Sequence, residues 1–183
     1  MTITQTIQTP KIETNERAAR LAEAGETWSN RIAADPSSAS LTYKVSGSGR
    51  GSVATLITAG RHEFLIDEPA ALAGDDLAAS PVEFALGALI SCQIVVYRLY
   101  ANALGIDLDE IEIDAEGDLN ARKLFGIDET VRAGFSDVRL NVRLSGTASQ
   151  NEFKKLQEVV DAHCPVLDLF ANQVPVRVEL TNS

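Results

Sequence analysis

The sequence predicts a single α+β domain in which short antiparallel strands surround a long apolar helix. The chain has 183 residues, 45% of them hydrophobic. This length is enough for one sizeable core and too short to favour two independent ones. Apolar residues recur with a period of two in two separate regions, and a long, nearly all-apolar segment lies between them. This alternation of patterns predicts strands, a central helix and further strands.

The first part of the chain divides into an arm and the start of the main domain. Residues 15–32 have helical periodicity, which Gly25 is expected to interrupt. Residues 1–39 therefore form an N-terminal arm with a short helix, and residues 40–183 form the main domain. In that domain the period of two and the Gly-rich turns predict three short antiparallel strands, over residues 41–45, 53–58 and 63–66.

The long helix has the clearest boundaries in the sequence. Ser80 and Glu83 have capping-box spacing, Pro81 suits the first helical position, and Gly105 suits a left-handed stop. The segment between them is apolar on nearly every face, so we expect it to be buried centrally, against a second subunit. A homodimer is therefore predicted from this helix alone.

The second half of the chain returns to alternation and then to helix. Strands are predicted over residues 111–115 and 135–144, where polar side chains face outward. Ser149 and Glu152 repeat the capping-box spacing and begin a helix that ends near Cys164. A further helical stretch is expected over residues 167–170, and a last strand over residues 176–180.

Composition excludes several classes of function. The formal net charge of −10 would repel nucleic acid and anionic lipid, and no basic run offsets it. The chain has no basic start followed by an apolar run and no stretch of about 18 uninterrupted apolar residues. We therefore expect a cytoplasmic protein with neither nucleic acid nor membrane as a partner.

The two cysteines are the main candidates for chemistry. Cys92 lies in the third turn of the long helix, which is too far from the helix N-terminus for the helix dipole to lower the pKa of the thiol much. Cys92 is therefore either a core residue or a nucleophile that needs a nearby cation. Cys164 lies at a helix end, where a thiol can become exposed, and the two could pair. A metal site would need both cysteines with His62 and His163, which lack ligand-pair spacing. We therefore predict no metal.

A glycine-rich turn presents an arginine. The segment at residues 47–51 has no helix after it that could offer amides to a phosphate, so it predicts a hairpin turn carrying Arg50 and no nucleotide cofactor. A solvated turn residue is the simpler interpretation of Arg50, and Arg61 is an equivalent candidate cation. No GxSxG elbow supports a serine hydrolase.

Four short motifs resemble the OsmC/Ohr family. They are SPVEFALGALISC at residues 80–92, HCPV at 163–166, DEP at 67–69 and GF at 134–135, and the similarity extends over roughly residues 40–181. The resemblance implies an OsmC-like α+β fold in which antiparallel sheets wrap around long central helices in an intertwined homodimer. It also implies active sites built from both chains at the subunit interface.

The resemblance also implies roles for individual residues. Cys92 would be the peroxidatic cysteine, Cys164 the resolving cysteine and Arg50 the cation that stabilises the thiolate. The hydroperoxide-resistance branch has a glutamate where this chain has Val82, so the chain is more similar to the generic OsmC-like branch, and Glu83 is the candidate substitute.

The predicted activity is a cysteine-based peroxidase that needs no cofactor. Its substrate would be a small-molecule hydroperoxide, and a dithiol reductant, lipoyl-type or a small thiol, would restore it. Two alternatives remain open at this point. One is a non-catalytic module that binds an apolar ligand at the dimer interface, and the other is a purely structural Cys92–Cys164 disulfide.

Overall fold

The computed structural model describes residues 12–182 and has the α+β composition that the sequence predicts. Two short 3-10 helices, Pro36–Ala39 and Ala70–Leu72, lie between the larger elements. In chain order those elements are α1 (Thr14–Ala34), β1 (Val45–Arg50), β2 (Ala54–Ala59), β3 (His62–Ile66), α2 (Pro81–Leu104), β4 (Glu110–Leu119), β5 (Phe135–Ser145), α3 (Gln150–His163) and α4 (Pro165–Ala171).

The first sheet contains β1, β2 and β3 in sequence order, paired antiparallel as predicted. The first strand begins at Val45, so the prediction that Leu41 and Tyr43 belong to it is wrong. Val45 pairs with Ala59, and the chain turns immediately afterwards at Gly60, whose φ is 61°. No residue of β2 therefore remains to hydrogen-bond the segment before Val45.

The long helix α2 has the predicted ends. The Ser80 hydroxyl accepts from the N–H of Glu83, the Glu83 carboxylate accepts from the N–H of Ser80, and Gly105 ends the helix in the left-handed conformation. Together these residues satisfy backbone groups that would otherwise lack partners at both ends of the helix.

Burial of α2 differs from the prediction within one chain. One face is buried, but apolar residues on other faces are not, including Val95 at 53% exposed and Leu104 at 52%. By length and composition the helix could also cross a membrane, a property that core helices of soluble proteins share. The expectation that all of its faces are buried is therefore not met by one copy alone.

The second sheet and α3 complete the core. Strands β4 and β5 pair antiparallel with a bulge at Asp118 and Leu119. Their outward face carries cross-strand ion pairs centred on Arg139 and Arg143, so their polar alternation is as predicted. The inward face packs on α2 and α3. The buried residues of this cluster are Val96, Tyr97, Ala101, Leu108, Ile113, Leu156, Val160 and Cys164.

The terminal parts of the described chain differ from the prediction in two ways. Helix α1 continues through Gly25, because one glycine costs a helix only about 1 kcal/mol and so need not end it. The strand predicted over residues 176–180 does not form: Val176, Val178 and Leu180 are 81%, 89% and 90% exposed. A strand needs a neighbour for its backbone hydrogen bonds, and this segment pairs with no strand of its own chain.

Candidate active site

Cys92 and Cys164 are brought together at the centre of the molecule. Cys92 is half-buried in the middle of α2, and Cys164 is 2% exposed in the single residue between α3 and α4. Pro165 explains this break, because a proline disfavours helical geometry in the residue before it. Cys164 is accordingly extended, with φ −84° and ψ 109°, and Pro165 begins the next helix. Both cysteines are free thiols.

The surroundings of Cys92 favour its neutral thiol. Burial raises the pKa of Cys92, the backbone N–H of Val166 lowers it by hydrogen bonding, and the adjacent Cys164 thiol raises it further. No cation is among the groups that act on the pKa of Cys92 within residues 12–182. The two thiols are therefore in contact, but no group of the described residues favours the thiolate of Cys92 as a cation would.

The two candidate arginines lie at opposite ends of the first sheet. Arg50 is the last residue of β1, opposite Ala54, and Arg61 lies in the turn between β2 and β3. The length of β2 separates them by roughly 17 Å, at about 3.4 Å per residue. Arg50 is exposed, and within the described residues its guanidinium donates only to the carbonyl of Gly49, at 3.3 Å. The two arginines therefore cannot substitute for one another at a single site.

Glu83 is engaged in the capping box through one oxygen only. Its Oε2 accepts from the N–H of Ser80 at 2.7 Å and from the hydroxyl of Ser80 at 2.6 Å. These two hydrogen bonds lower the pKa of Glu83. Glu83 lies roughly 13 Å along the helix axis from Cys92, at about 1.5 Å per residue. It can therefore influence Cys92 only through an intervening group.

Gln93 is a buried polar residue that the sequence interpretation did not single out. It is 1% exposed, and neither its Oε1 nor its Nε2 has a hydrogen-bond partner in the described part of the chain. It borders a cleft of about 560 Å³ between α2, β5 and α4. The charged residues Arg132, Asp137 and Asp161 line the cleft together with apolar residues, among them Leu89, Tyr97, Val138, Leu140, Leu167 and Phe170. The sequence signal that could have identified Gln93 is a polar residue directly after Cys92 in a mostly apolar segment.

The loop before α2 is organised by Asp67, the first residue of the DEP motif. Asp67 is 1% exposed, and its Oδ2 accepts from the N–H groups of Asp75 and Leu77, both at 3.1 Å. Hydrogen bonds from the backbone, chiefly from Leu77, lower the pKa of this carboxyl. Gly74 passes so close to the Glu68 carbonyl that a Cβ there would collide with it. The motif therefore shapes the loop that leads into α2.

A metal centre is not formed by the candidate ligands. Among residues 12–182, no three His, Cys, Asp or Glu side chains converge into a group that could hold a metal ion. His163, one of the residues considered for such a site, contacts the Val159 carbonyl through Nδ1 at 2.7 Å and packs against Tyr100, with ring centroids 4.8 Å apart. Its ring therefore already has partners within α2 and α3.

The fold and the paired thiols define a class of α+β protein. Its central helix, α2, carries Cys92, and this cysteine contacts Cys164 at the junction of α3 and α4. The model of the family described as OsmC-like protein matches residues 74–179, more than half of the chain. The chain therefore belongs to the OsmC-like protein family. This confirms the resemblance stated from the sequence motifs. No curated protein is similar enough to the chain to count as a match.

Solved structures have the same fold at low sequence identity. An OsmC-like protein from Mycoplasma pneumoniae is 15% identical with a TM-score of 0.64, covering 72% of this chain and 88% of its own. An organic hydroperoxide resistance protein from Legionella pneumophila is 23% identical with a TM-score of 0.56, covering 72% and 90%. One from Elizabethkingia anophelis is 20% identical with a TM-score of 0.54, covering 70% and 89%. These similarities establish the fold.

Proposed function

We propose that the protein is a thiol peroxidase that reduces organic hydroperoxides through Cys92 and Cys164. The observation that carries the proposal is the contact between the two thiols, which come from distant parts of the sequence. A free thiol pair in contact is positioned to form a disulfide when it is oxidised. Two structural neighbours are named organic hydroperoxide resistance proteins, which supports peroxide as the oxidant.

The reaction consumes one hydroperoxide for each disulfide. The Cys92 thiolate attacks one peroxide oxygen, an S–O bond forms as the O–O bond breaks, and the alcohol leaves after taking up a proton. The Cys164 thiol then attacks the sulfenic acid, the disulfide forms and water leaves. A dithiol reductant, lipoyl-type or a small thiol, restores both thiols by exchange and is itself oxidised to a disulfide.

Activation of Cys92 is proposed to come from a second copy of the chain. Burial raises the pKa of Cys92, and Arg50 of the same chain does not act on it. In an intertwined homodimer the exposed Arg50 of one subunit would approach Cys92 of the other and lower its pKa. The Oε1 of Glu83, which accepts no hydrogen bond within residues 12–182, is free to orient that arginine. Glu83 is thus proposed as a positioning residue.

The exposed apolar surface supports the homodimer. Two sets of apolar side chains are exposed in one copy of the chain. One set lies on α2 and includes Val95 and Leu104, and the other consists of the alternating residues Val176, Val178 and Leu180. Burying such surface is the main driving force of association. Sedimentation equilibrium should therefore give twice the chain mass of 19.6 kDa. A monomer at micromolar concentration would contradict the interface site. We further propose that the dimer acts in the cytoplasm.

Thiol counting tests the proposed reaction directly. The reduced protein is treated with one equivalent of cumene hydroperoxide, and free thiols are counted before and after. We expect the wild type to lose both thiols and to recover them with dithiothreitol, whereas Cys92→Ser should keep its remaining thiol. Unchanged thiols in the wild type would disprove the peroxidase.

A second candidate function is supported by the cleft beside Gln93. A volume of about 560 Å³ is in the range of small-molecule sites, and its walls combine apolar side chains with polar and charged ones. The protein would then be a non-catalytic module that holds an apolar ligand bearing one polar group for Gln93. Native mass spectrometry should detect a copurified ligand that Gln93→Leu loses, with both cysteines inert to peroxide. Oxidation of both thiols without any bound ligand would exclude this alternative.

A further inference from the structure

Two arginines face the same small cleft where α1 packs on α2. Arg17 comes from the first turn of α1 and Arg98 from the C-terminal half of α2, and the cleft between them has a volume of about 100 Å³. Thr14 and Asn102 also border it. Since a water molecule takes up about 30 Å³ in the liquid, this is room for one small polyatomic ligand.

Neither arginine is neutralised by the described residues. No carboxylate in residues 12–182 forms an ion pair with either guanidinium, although the chain has a net charge of −10. The Nη1 of Arg98 is buried and has no hydrogen-bond partner there. A buried, unpaired nitrogen of a charged group is costly, and no residue from 12 to 182 supplies its acceptor.

Arg17 is held in place from the other side of the cleft. Its Nη2 donates to the carbonyls of Leu108 and Asp109 at 3.4 and 3.3 Å, which ties the start of α1 to the loop after α2. Asp107 also borders the cleft; its Oδ2 accepts from the hydroxyl of Thr147, and it forms no ion pair with either arginine within the described residues. Burial and the charge of Arg17 both lower the pKa of Arg98.

We propose that Arg17 and Arg98 form a binding site for a small tetrahedral oxyanion of the phosphate type, held between α1 and α2. Guanidinium groups recognise such oxyanions through paired N–H donors, and two of them from different helices would share one dianion. The bound anion would neutralise both guanidinium groups and remove the repulsion between the two cations. Binding therefore fastens α1 to the rest of the chain. Helix α1 lies outside residues 74–179, which match the family model, so the site joins one arginine inside the matched region to one outside it.

Inorganic phosphate titrated into the full-length protein tests the proposal. Calorimetry at constant ionic strength should give saturable phosphate binding with a stoichiometry of one per chain, at least tenfold tighter than acetate. Arg98→Gln and Arg17→Gln should each weaken binding at least tenfold. Arg20→Gln is the matched control, because Arg20 lies one turn further along α1 and is paired with Glu16 at the surface. It should bind phosphate as the wild type does.

Two further measurements keep the test independent of folding. The circular dichroism spectrum of each variant must match that of the wild type. Arg98→Lys keeps the positive charge but loses the paired N–H donors of the guanidinium, so its phosphate affinity should lie between those of the wild type and Arg98→Gln. Trp28, the only tryptophan, lies in α1. Its emission should change with phosphate in the wild type and in Arg20→Gln, but not in Arg17→Gln or Arg98→Gln. Equal affinity for acetate, or wild-type binding in a folded Arg98→Gln, would overturn the proposal.

Discussion

The thiol of Cys92 lies against that of Cys164, and the two residues are held by backbone of very different rigidity. Cys92 is in the middle of α2, where backbone hydrogen bonds fix it on both sides. Cys164 is the one non-helical residue between α3 and α4. Any adjustment needed to bring the sulfurs to bonding distance can therefore occur at the α3–α4 junction, which leaves the core helix unchanged.

This arrangement predicts that Cys164 is the residue that resolves the sulfenic acid. In Cys164→Ser the sulfenic acid at Cys92 has no thiol beside it, so it should persist long enough to react with dimedone. Mass spectrometry should find one dimedone adduct on Cys92 in this variant and almost none in the wild type, which forms the disulfide first. Adduct formation at equal levels in both proteins would contradict the role of Cys164.

Two glycines should respond oppositely to the same substitution. Gly74→Ala places a Cβ against the Glu68 carbonyl, so we expect it to destabilise the loop before α2 by more than about 1 kcal/mol. Gly25→Ala meets no atom within 4 Å inside α1 and should stabilise the protein by about 0.5–1 kcal/mol. Urea unfolding measures both. Destabilisation by Gly25→Ala would argue against a continuous α1.

The two capping boxes provide a matched test of Glu83. Glu83→Gln and Glu152→Gln remove the same charge from the same motif, and glutamine still permits capping, so both variants should remain folded. If Glu83 also orients Arg50, only Glu83→Gln should slow oxidation of Cys92, by about tenfold, equivalent to about 1.4 kcal/mol. Stopped-flow oxidation with cumene hydroperoxide measures this rate. Equal rates in the two variants would leave Glu83 with capping alone.

The pH dependence of Glu83 has a defined sign. Hydrogen bonds from Ser80 lower its pKa in the folded protein, so the charged carboxylate contributes stability that is present above the ordinary pKa of 4.5. That contribution is lost as the pH falls through the lowered folded value. Urea unfolding should therefore give a difference between wild type and Glu83→Gln that is constant near neutral pH and disappears in acid. A difference that grows below pH 4 would contradict the capping geometry.

Local signals in the sequence predicted most elements, and contacts between distant segments were harder to predict. The ends of α2 follow from Ser80, Pro81 and Gly105, which act on their own backbone. The missing strand at residues 176–180 depends on a pairing partner, which its own alternation does not specify. The proximity of Cys92 and Cys164 likewise depends on how α3 packs on α2. Their positions along the chain left the pairing open, and only the resemblance to the OsmC/Ohr family implied it.

The role of Arg50 can be separated from that of Arg61 by the reactivity of Cys92. Only the thiolate reacts with iodoacetamide, and burial raises the pKa of Cys92 within one chain. A guanidinium supplied by a second copy would lower that pKa by favouring the thiolate. Arg50→Met should therefore raise the pKa of Cys92, and at pH 7 its alkylation should slow by about tenfold or more.

Arg61→Met is the control, because this arginine is equally charged but lies at the opposite end of the first sheet. It should alkylate as the wild type does across the pH range. Cys164→Ser serves as the background for all three proteins, so that only Cys92 is labelled and mass spectrometry follows one site. A profile that is the same with and without Arg50 would show that no arginine from a second copy reaches Cys92. A shift caused by Arg61→Met instead would place the other end of the sheet at the thiol.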